Sequence, residues 1–343
     1  MRNGSGGGWG PVLGIALCGM LFVLGCKSGS QTPATTGDNR AAQGSPPFMS
    51  AVAGNPPAVP AADAAPSADT TGGFDGNRAY EQVAKQVSFG PRPPGSAEIA
   101  KLQDYLVEQL KTYGCAVEVD SFSADTPHGR VPMKNILVRI PGEKPGIILL
   151  GTHYDTKKLP NFVGADDAGS STGVMLEIAR LLCKRPPERY AVWVAFFDAE
   201  EAFNVEWHDP DNCYGSRQMA AQMAASGDLP KVKAFILADL VGGRTPRFRR
   251  DSTSTKWVVD LVWNTAAKLG YANVFINEPY DVGGDDHFSF TKRKVPSVDI
   301  IDLDPREVPY WHTPQDTLDK ISPKTLAIVG HTILASVEEL QRK

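Results

Sequence analysis

Hydrophobic positions along the chain fall into two patterns. Three short solid runs, GIILLG (146–151), YAVWVAFF (190–197) and AFILADLV (234–241), hold almost no polar residue. A strand reads this way when both of its faces are covered, as in the middle of an α/β sheet. Around these runs, apolar residues recur at helical spacing. Ile99, Leu102, Leu106 and Leu110 share one face of a helix that Ser96 can cap and Gly114 can end. Val174, Ile178 and Leu181 mark a second helix, and Ser322-Pro323 opens a last one that runs to about Leu340. Strand and helix alternating in this way predict a three-layer α/β/α sandwich.

The first residues follow a different rule. An apolar stretch from Val12 to Leu24 comes after a single charge, Arg2. It is too short to span a bilayer and suits the apolar region of a signal peptide. It ends in VLGC, which resembles a bacterial lipobox, where cleavage before the cysteine leaves Cys26 to be lipidated. An ordinary signal peptide cut elsewhere is the alternative. Residues 27–73 are rich in Ala, Pro, Gly, Ser and Thr and hold almost no large apolar side chain, a composition that cannot bury a core. The expected organisation is a signal peptide over 1–25, a flexible tether over 26–73 and a catalytic domain over 74–343. The mature chain would be exported and lipid-anchored to a bacterial membrane, facing the periplasm or the cell surface.

Composition narrows the function. Of 343 residues, 42% are apolar and 22% charged, as in soluble globular proteins, and the formal net charge is -4. Without a basic footprint no nucleic-acid partner is expected. The short basic clusters Arg244–Arg250 and Lys292–Lys294 read as solvated loops. Besides Cys18 and Cys26, three cysteines are left, Cys115, Cys183 and Cys213. An odd number without a CxxC pattern argues against a disulfide scaffold or a thiolate zinc site. One disulfide can form among them, and the sequence does not assign its pairing.

Acids and histidines follow the apolar runs directly. GTHYD carries His153 and Asp155, GADDAGSS carries Asp166 and Asp167, and FFDAEEAF carries Glu200 and Glu201. Asp239 stands inside ADLVG, Asp285, Asp286 and His287 inside GGDDHFSF, and His312 and Asp316 inside YWHTPQDT. Functional groups in open α/β sheets gather at the carboxyl ends of the strands. Taken singly, such a histidine is a hydrogen-bonder and an Asp pair before a helix is an N-cap. Taken together, these side chains are satisfied most simply by a divalent cation. His, Asp and Glu are zinc ligands, and three of them with one open position make a catalytic site. Past a strand end, both adjacent glutamates can face one cavity, one on the metal and one free to carry a proton.

The order HxD, GAxD, EE, D and H resembles the zinc aminopeptidase superfamily, whose exopeptidase-like core has a central mixed sheet. Within it, FFDAEEAF, Trp207, YGSR (214–217), DDHFSF and VPYWHT look closer to the animal-type glutaminyl cyclases, over roughly residues 78–341. The resemblance implies one zinc ion held by Asp167, Glu201 and His312, with Glu200 as general acid and base. Asp239 and Asp285 would share the hydrogen-bond network of Glu200, and Trp207 and Trp311 would line the substrate pocket. The implied reaction is intramolecular. The α-amine of an N-terminal glutamine, on a peptide or protein, attacks its own side-chain amide carbon, giving pyroglutamate and ammonia. His153 and Asp155 are expected in support of the site.

His153 and Asp239 are also the positions that hold a second zinc in the aminopeptidases, so a second metal stays open. Three departures from the cyclases stand out: one extra residue before Trp207, Thr152 where a cysteine would be, and the loop DPREVPY ahead of Trp311. A di-zinc aminopeptidase and an inactive surface-tethered binding module are the rival readings. His331 reads as structural, Trp193, Trp257 and Trp263 as packing residues, and His287 as undecided.

Overall fold

The protein is described here by a computed structural model covering residues 58–343. The signal peptide, Cys26 and most of the expected tether lie outside the described residues. Among these, the main sheet has six strands, Val117–Thr126 (β1), Gly129–Ile140 (β2), Gly142–His153 (β3), Glu188–Phe197 (β4), Val232–Asp239 (β5) and Ser297–Ile301 (β8). Phe248–Asp251 (β6) and Phe275–Tyr280 (β7) form a small second sheet. The order across the main sheet is β1-β2-β4-β3-β5-β8. Strands β4, β3, β5 and β8 run parallel, and β1 and β2 add an antiparallel hairpin at one edge. The sheet is therefore mixed, as the resemblance implied.

The three solid apolar runs are the three central parallel strands. Their alternate residues feed two separate cores. Ile148, Leu150, Val192, Val194, Phe196 and Ile236 face one side. Leu149, Trp193, Ala195, Phe197, Phe235 and Leu237 face the other. The first side is covered by Gly76–Val87 (α1), Ala97–Thr112 (α2), Gly169–Leu182 (α3), Lys256–Lys268 (α5) and Pro323–Gln341 (α7). Tyr214–Ser226 (α4) and His287–Thr291 (α6) cover the second. Phe196 is fully buried, and its truncation to alanine would cost about 3–5 kcal/mol. The expected caps are present. Ser96 Oγ accepts from the Ile99 amide at 3.1 Å and Ser322 Oγ from the Thr325 amide at 3.2 Å, each a contribution of about 1 kcal/mol.

Two expectations change, and one left open, the cysteine pairing, is decided. Residues 58–73 do not behave as tether. They form two 3-10 turns, Ala61–Asp63 and Ala68–Thr70, and pack on the domain. Asp63 is buried and pairs with Arg244 at 2.6 Å, and Thr71 Oγ1 donates to the Phe74 carbonyl at 2.6 Å. Composition misled here because specific polar bonds hold this segment, with Val59 packed against the core beside them. The basic cluster Arg244–Arg250 is not wholly a loop, since Phe248–Asp251 is strand β6. Phe248 is buried in the core, and Arg249, also buried, pairs with Glu307 at 3.2 Å. Finally, Cys115 and Cys183 form a disulfide, with Cα atoms 5.3 Å apart, joining the segment after α2 to the end of α3. Cys213 is free and buried.

Candidate active site

The parallel strands deliver their side chains to one edge. Strand β3 ends on His153 and β5 on Asp239, while β4 ends on Phe197, three residues before Glu200. The end of β4 is fixed by Asp198, whose Oδ2 accepts from the Lys134 amide at 2.8 Å and from Gln103 Nε2 at 3.0 Å. Ala199 and Leu240 then turn the backbone through left-handed conformations (φ 55° and 48°), so both loops bend sharply as the sheet stops. After β8, the loop up to Asp316 returns over the edge and brings Trp311 and His312, the latter at φ 53°.

Two aspartates hold this edge from below. Asp155 accepts from the amides of Glu200 (3.0 Å) and Glu201 (3.3 Å), which fixes the paired glutamates by their backbone. Asp155 Oδ1 also lies 3.5 Å from His153 Nδ1. Asp316 does the same for the other pair, accepting from the amides of Asp166 (2.8 Å) and Asp167 (3.1 Å). Asp166 turns away and accepts from the Gly242 amide and the Tyr310 hydroxyl, both at 2.8 Å. Asp167 faces the cavity.

Asp167, Glu201 and His312 each offer one donor atom, and these three atoms lie within 4.8 Å of one another. His312 Nε2 is 3.0 Å from Glu201 Oε1 and 3.3 Å from Asp167 Oδ2. The far oxygen of each acid has its own cationic partner. Lys157 Nζ lies 3.4 Å from Glu201 Oε2, and His153 Nε2 lies 3.4 Å from Asp167 Oδ1. Lys157 is buried and also donates to the Ala202 carbonyl at 3.1 Å. The sequence reading missed Lys157. Four residues after His153, in a loop without periodicity, it gave no signal beyond its nearness to GTHYD.

Charge at this edge is unbalanced. Burial opposes a charged His312 ring, yet Glu201 and Asp167 push its pKa up to about 10. His153 is likewise held well above the usual range: burial works against the charge, and Asp239, Asp155 and Asp167 outweigh it. Burial also disfavours the charged form of Asp167, but His153 and His312 hold it far below the usual carboxylate range. Buried acids that recruit both imidazoles as cations are a donor set suited to a divalent ion, which would let the rings act as neutral ligands. A second such group, His153, Asp167 and Asp239, shares Asp167 with the first.

Glu200 stands beside these donors. Its Oε2 is 3.9 Å from His153 Nδ1, and burial, with Asp285 and Glu201 nearby, raises its pKa well above the ordinary value despite His153. Asp239 bonds His153 Nε2 at 3.0 Å rather than Glu200, and burial pushes its pKa to about 7. Asp285 has an oxygen within 4.8 Å of a Glu200 oxygen. The cavity has a volume of about 300 Å³, with Lys157, Asp167, Glu200, Glu201, Asp239 and His312 in its wall. Trp207 and Trp311 line it too, each 39% exposed, and Trp311 stacks on His312 with ring centres 4.2 Å apart. All eleven expected site residues except Cys26, which is not described, therefore meet at one edge. His287 does not line this cavity. It is buried, with Nε2 2.9 Å from Thr253 Oγ1. His331 bonds the Tyr271 hydroxyl at 3.0 Å, a structural role as expected. Trp193 and Trp263 are buried packing residues, while Trp257 is 40% exposed.

An α/β/α fold with His, Asp and Glu donors gathered at the strand ends defines the exopeptidase-like metalloenzymes. Peptidase family M28 matches over residues 135–337, and the chain belongs to that family. Its relatives narrow the group further. The chain is 31% identical over 287 residues to the glutaminyl-peptide cyclotransferase of Boiga irregularis, covering 73% of this chain and 76% of the snake protein. The crystal structure of an Acidobacteriales bacterium glutaminyl cyclase superposes with a TM-score of 0.74 at 36% identity, covering 83% of this chain and 99% of that one. A Zn-dependent exopeptidase from Parabacteroides distasonis superposes with a TM-score of 0.69 at 32% identity, covering 76% and 97%.

Proposed function

We propose that the chain is a zinc-dependent glutaminyl-peptide cyclotransferase, which converts the N-terminal glutamine of peptides or proteins to pyroglutamate and releases ammonia. The observation that carries this reading is a free buried glutamate, Glu200, beside a three-donor cluster under two tryptophans. Asp167, Glu201 and His312 would hold the zinc ion, which when bound supplies a Lewis acid to polarise the glutamine amide. The cavity volume suits one side chain folded back on its own amine. Trp207 and Trp311 enclose its aliphatic stem and keep nucleophile and carbon together. A peptide α-amine has a pKa of about 7.7–8.0, so part of it is neutral near pH 7. As that nitrogen bonds to the amide carbon, Glu200 takes its proton. The same carboxyl returns the proton to the departing amide nitrogen, which leaves as ammonia.

One observation favours a second reading. The His153, Asp167 and Asp239 group could hold a second ion, as a di-zinc aminopeptidase requires. Offering Gln-arylamide and Leu-arylamide to the purified chain, with metal counted in the same sample, separates the two. Cyclisation of the first with about one zinc per chain is expected. Cleavage of the leucine substrate with about two metals would overturn the cyclase reading.

The same proposal places the chain outside the cytoplasm, anchored by lipid on Cys26. The Cys115–Cys183 disulfide supports an oxidising compartment. Among the described residues, no helix is long and apolar enough to cross a membrane. Mass spectrometry of the membrane fraction, before and after Cys26→Ser, tests the anchor. An unlipidated Cys26 would overturn it.

A further inference from the structure

A second cavity, also of about 300 Å³, shares Trp207, Gly284 and Asp285 with the catalytic one. The two differ in sign. Carboxylates dominate the wall of the first, whereas in the second Arg217, Lys292 and Arg293 outnumber Asp209 and Asp285. Lys292 is partly neutralised by Asp209, with Nζ to Oδ2 at 3.1 Å. Neither guanidinium has a carboxylate within 4.0 Å among the described residues, although Arg217 feels Asp209 at longer range. Arg217 Nη1 donates to Asn212 Oδ1 at 3.1 Å and Nη2 to the Pro210 carbonyl at 2.5 Å, and the group lies 4.8 Å from the centre of the Tyr214 ring. Arg293 Nη1 donates to the Ser289 carbonyl at 2.7 Å. All these partners are uncharged, so among the described residues neither arginine is in an ion pair. The proposed chemistry in the first cavity uses none of these groups.

We infer that this cavity is a subsite that receives an acidic side chain from the residues following the substrate's N-terminal glutamine. The inference rests on the cyclase reading, which places the glutamine in the catalytic cavity. A peptide leaving that cavity along the shared rim of Trp207 and Gly284 passes the second cavity directly. Each extended residue advances about 3.3–3.6 Å, so the first few side chains sample its mouth. A carboxylate is the group that a planar, unpaired guanidinium fork accepts best. A lysine or arginine side chain there would instead meet like charge.

The test compares amidated tripeptides that lack a free C-terminal carboxylate: Gln-Ala-Ala, Gln-Glu-Ala, Gln-Ala-Glu and their lysine counterparts. The expected result is a kcat/KM about threefold to tenfold higher for an acidic peptide than for the neutral one, the size given by one or two partly screened charge pairs. Lysine peptides should fall below the neutral one. Salt at about 0.5 M should flatten the series. In Arg217→Met and in Arg293→Gln the ratio of acidic to neutral should fall toward one. Arg293 is exposed and makes a single bond to the Ser289 carbonyl, so its variant stays informative if loss of Arg217 disturbs the fold. Equal turnover of all peptides, or a preference that survives both substitutions, would overturn the subsite and leave the cyclase reading standing. Failure to cyclise any peptide would overturn both.

Discussion

Two groups of the same chemistry lie close together in this chain. Asp167, Glu201 and His312 form one, and Asp285, His287 and Asp299 the other. Each has two carboxylates and one imidazole, with donor atoms within 4.8 Å. Their surroundings differ. The first lines a cavity, and the His312 side chain keeps 21% exposure because a loop presents it. The second lies deeper: His287 starts the short helix α6, Asp299 is in the middle of strand β8, both are wholly buried, and of the three Asp285 alone reaches the cavity wall. His287 Nδ1 lies 3.6 Å from Asp299 Oδ2, and among the described residues neither Asp299 side-chain oxygen has a hydrogen-bond partner. Burial, then Asp285, pushes Asp299 well above the ordinary carboxylate range. The contrast teaches that the donor set alone does not make a metal centre. Access and compensating charge separate the two: only the first group turns all three donor residues to the cavity and has a lysine on its rear oxygen.

The largest expected effect breaks the first group. His312→Ala should lose both zinc and turnover, read by metal analysis of the purified variant. Full zinc occupancy would remove His312 from the ligand set. Next, Glu200→Gln should lower kcat by about 10²–10⁴ while zinc content stays at the native level. Normal turnover in that variant would sink its role as proton carrier. Lys157→Met should weaken zinc binding about tenfold, measured by competition with a chelator, because the rear oxygen of Glu201 is then free to swing. Unchanged affinity would mean that the buried lysine serves the fold alone.

The smallest effect probes the deeper group. Asp299→Asn should leave zinc content unchanged and raise stability at neutral pH by about 1–2 kcal/mol. Because burial raises the folded pKa of Asp299, the native chain binds its proton more tightly than the unfolded one. Its contribution therefore declines as pH rises above about 3.9, the unfolded value. The gain from the asparagine should thus shrink toward zero as pH falls through that value, which denaturant melts across a pH series would read. A gain independent of pH would show that Asp299 holds no such proton.

Solid apolar runs were enough to place the three central strands, because a strand covered on both faces has no polar positions to blur its signal. The edge hairpin was not legible in the same way. Residues of β1 alternate, Ser121, Ser123 and Asp125 with Phe122 and Ala124, but the inward face carries one large apolar side chain there and the strand is partly exposed on both faces. Strand β8 was hidden for a different reason. Asp299 interrupts its apolar run, and its buried neighbours, His287 and Asp285, come from a distant loop and helix that local pattern does not reveal.

The sequence by itself determined the inventory: which side chains follow the strand ends, in which order, and that the paired glutamates could divide metal and proton between them. Tertiary structure decided which atoms meet. It set Asp155 and Asp316 under the two acidic pairs and turned Asp166 away while Asp167 faces in. It brought Lys157 onto Glu201, turned one group of two acids and a histidine to the cavity, and left His287 and Asp299 of the other inside the core. These outcomes depend on contacts between residues up to 150 positions apart, such as Asp316 with the Asp166 amide. Local pattern has no access to them, because spacing along a chain fixes periodicity and not the packing that brings distant loops over one sheet edge.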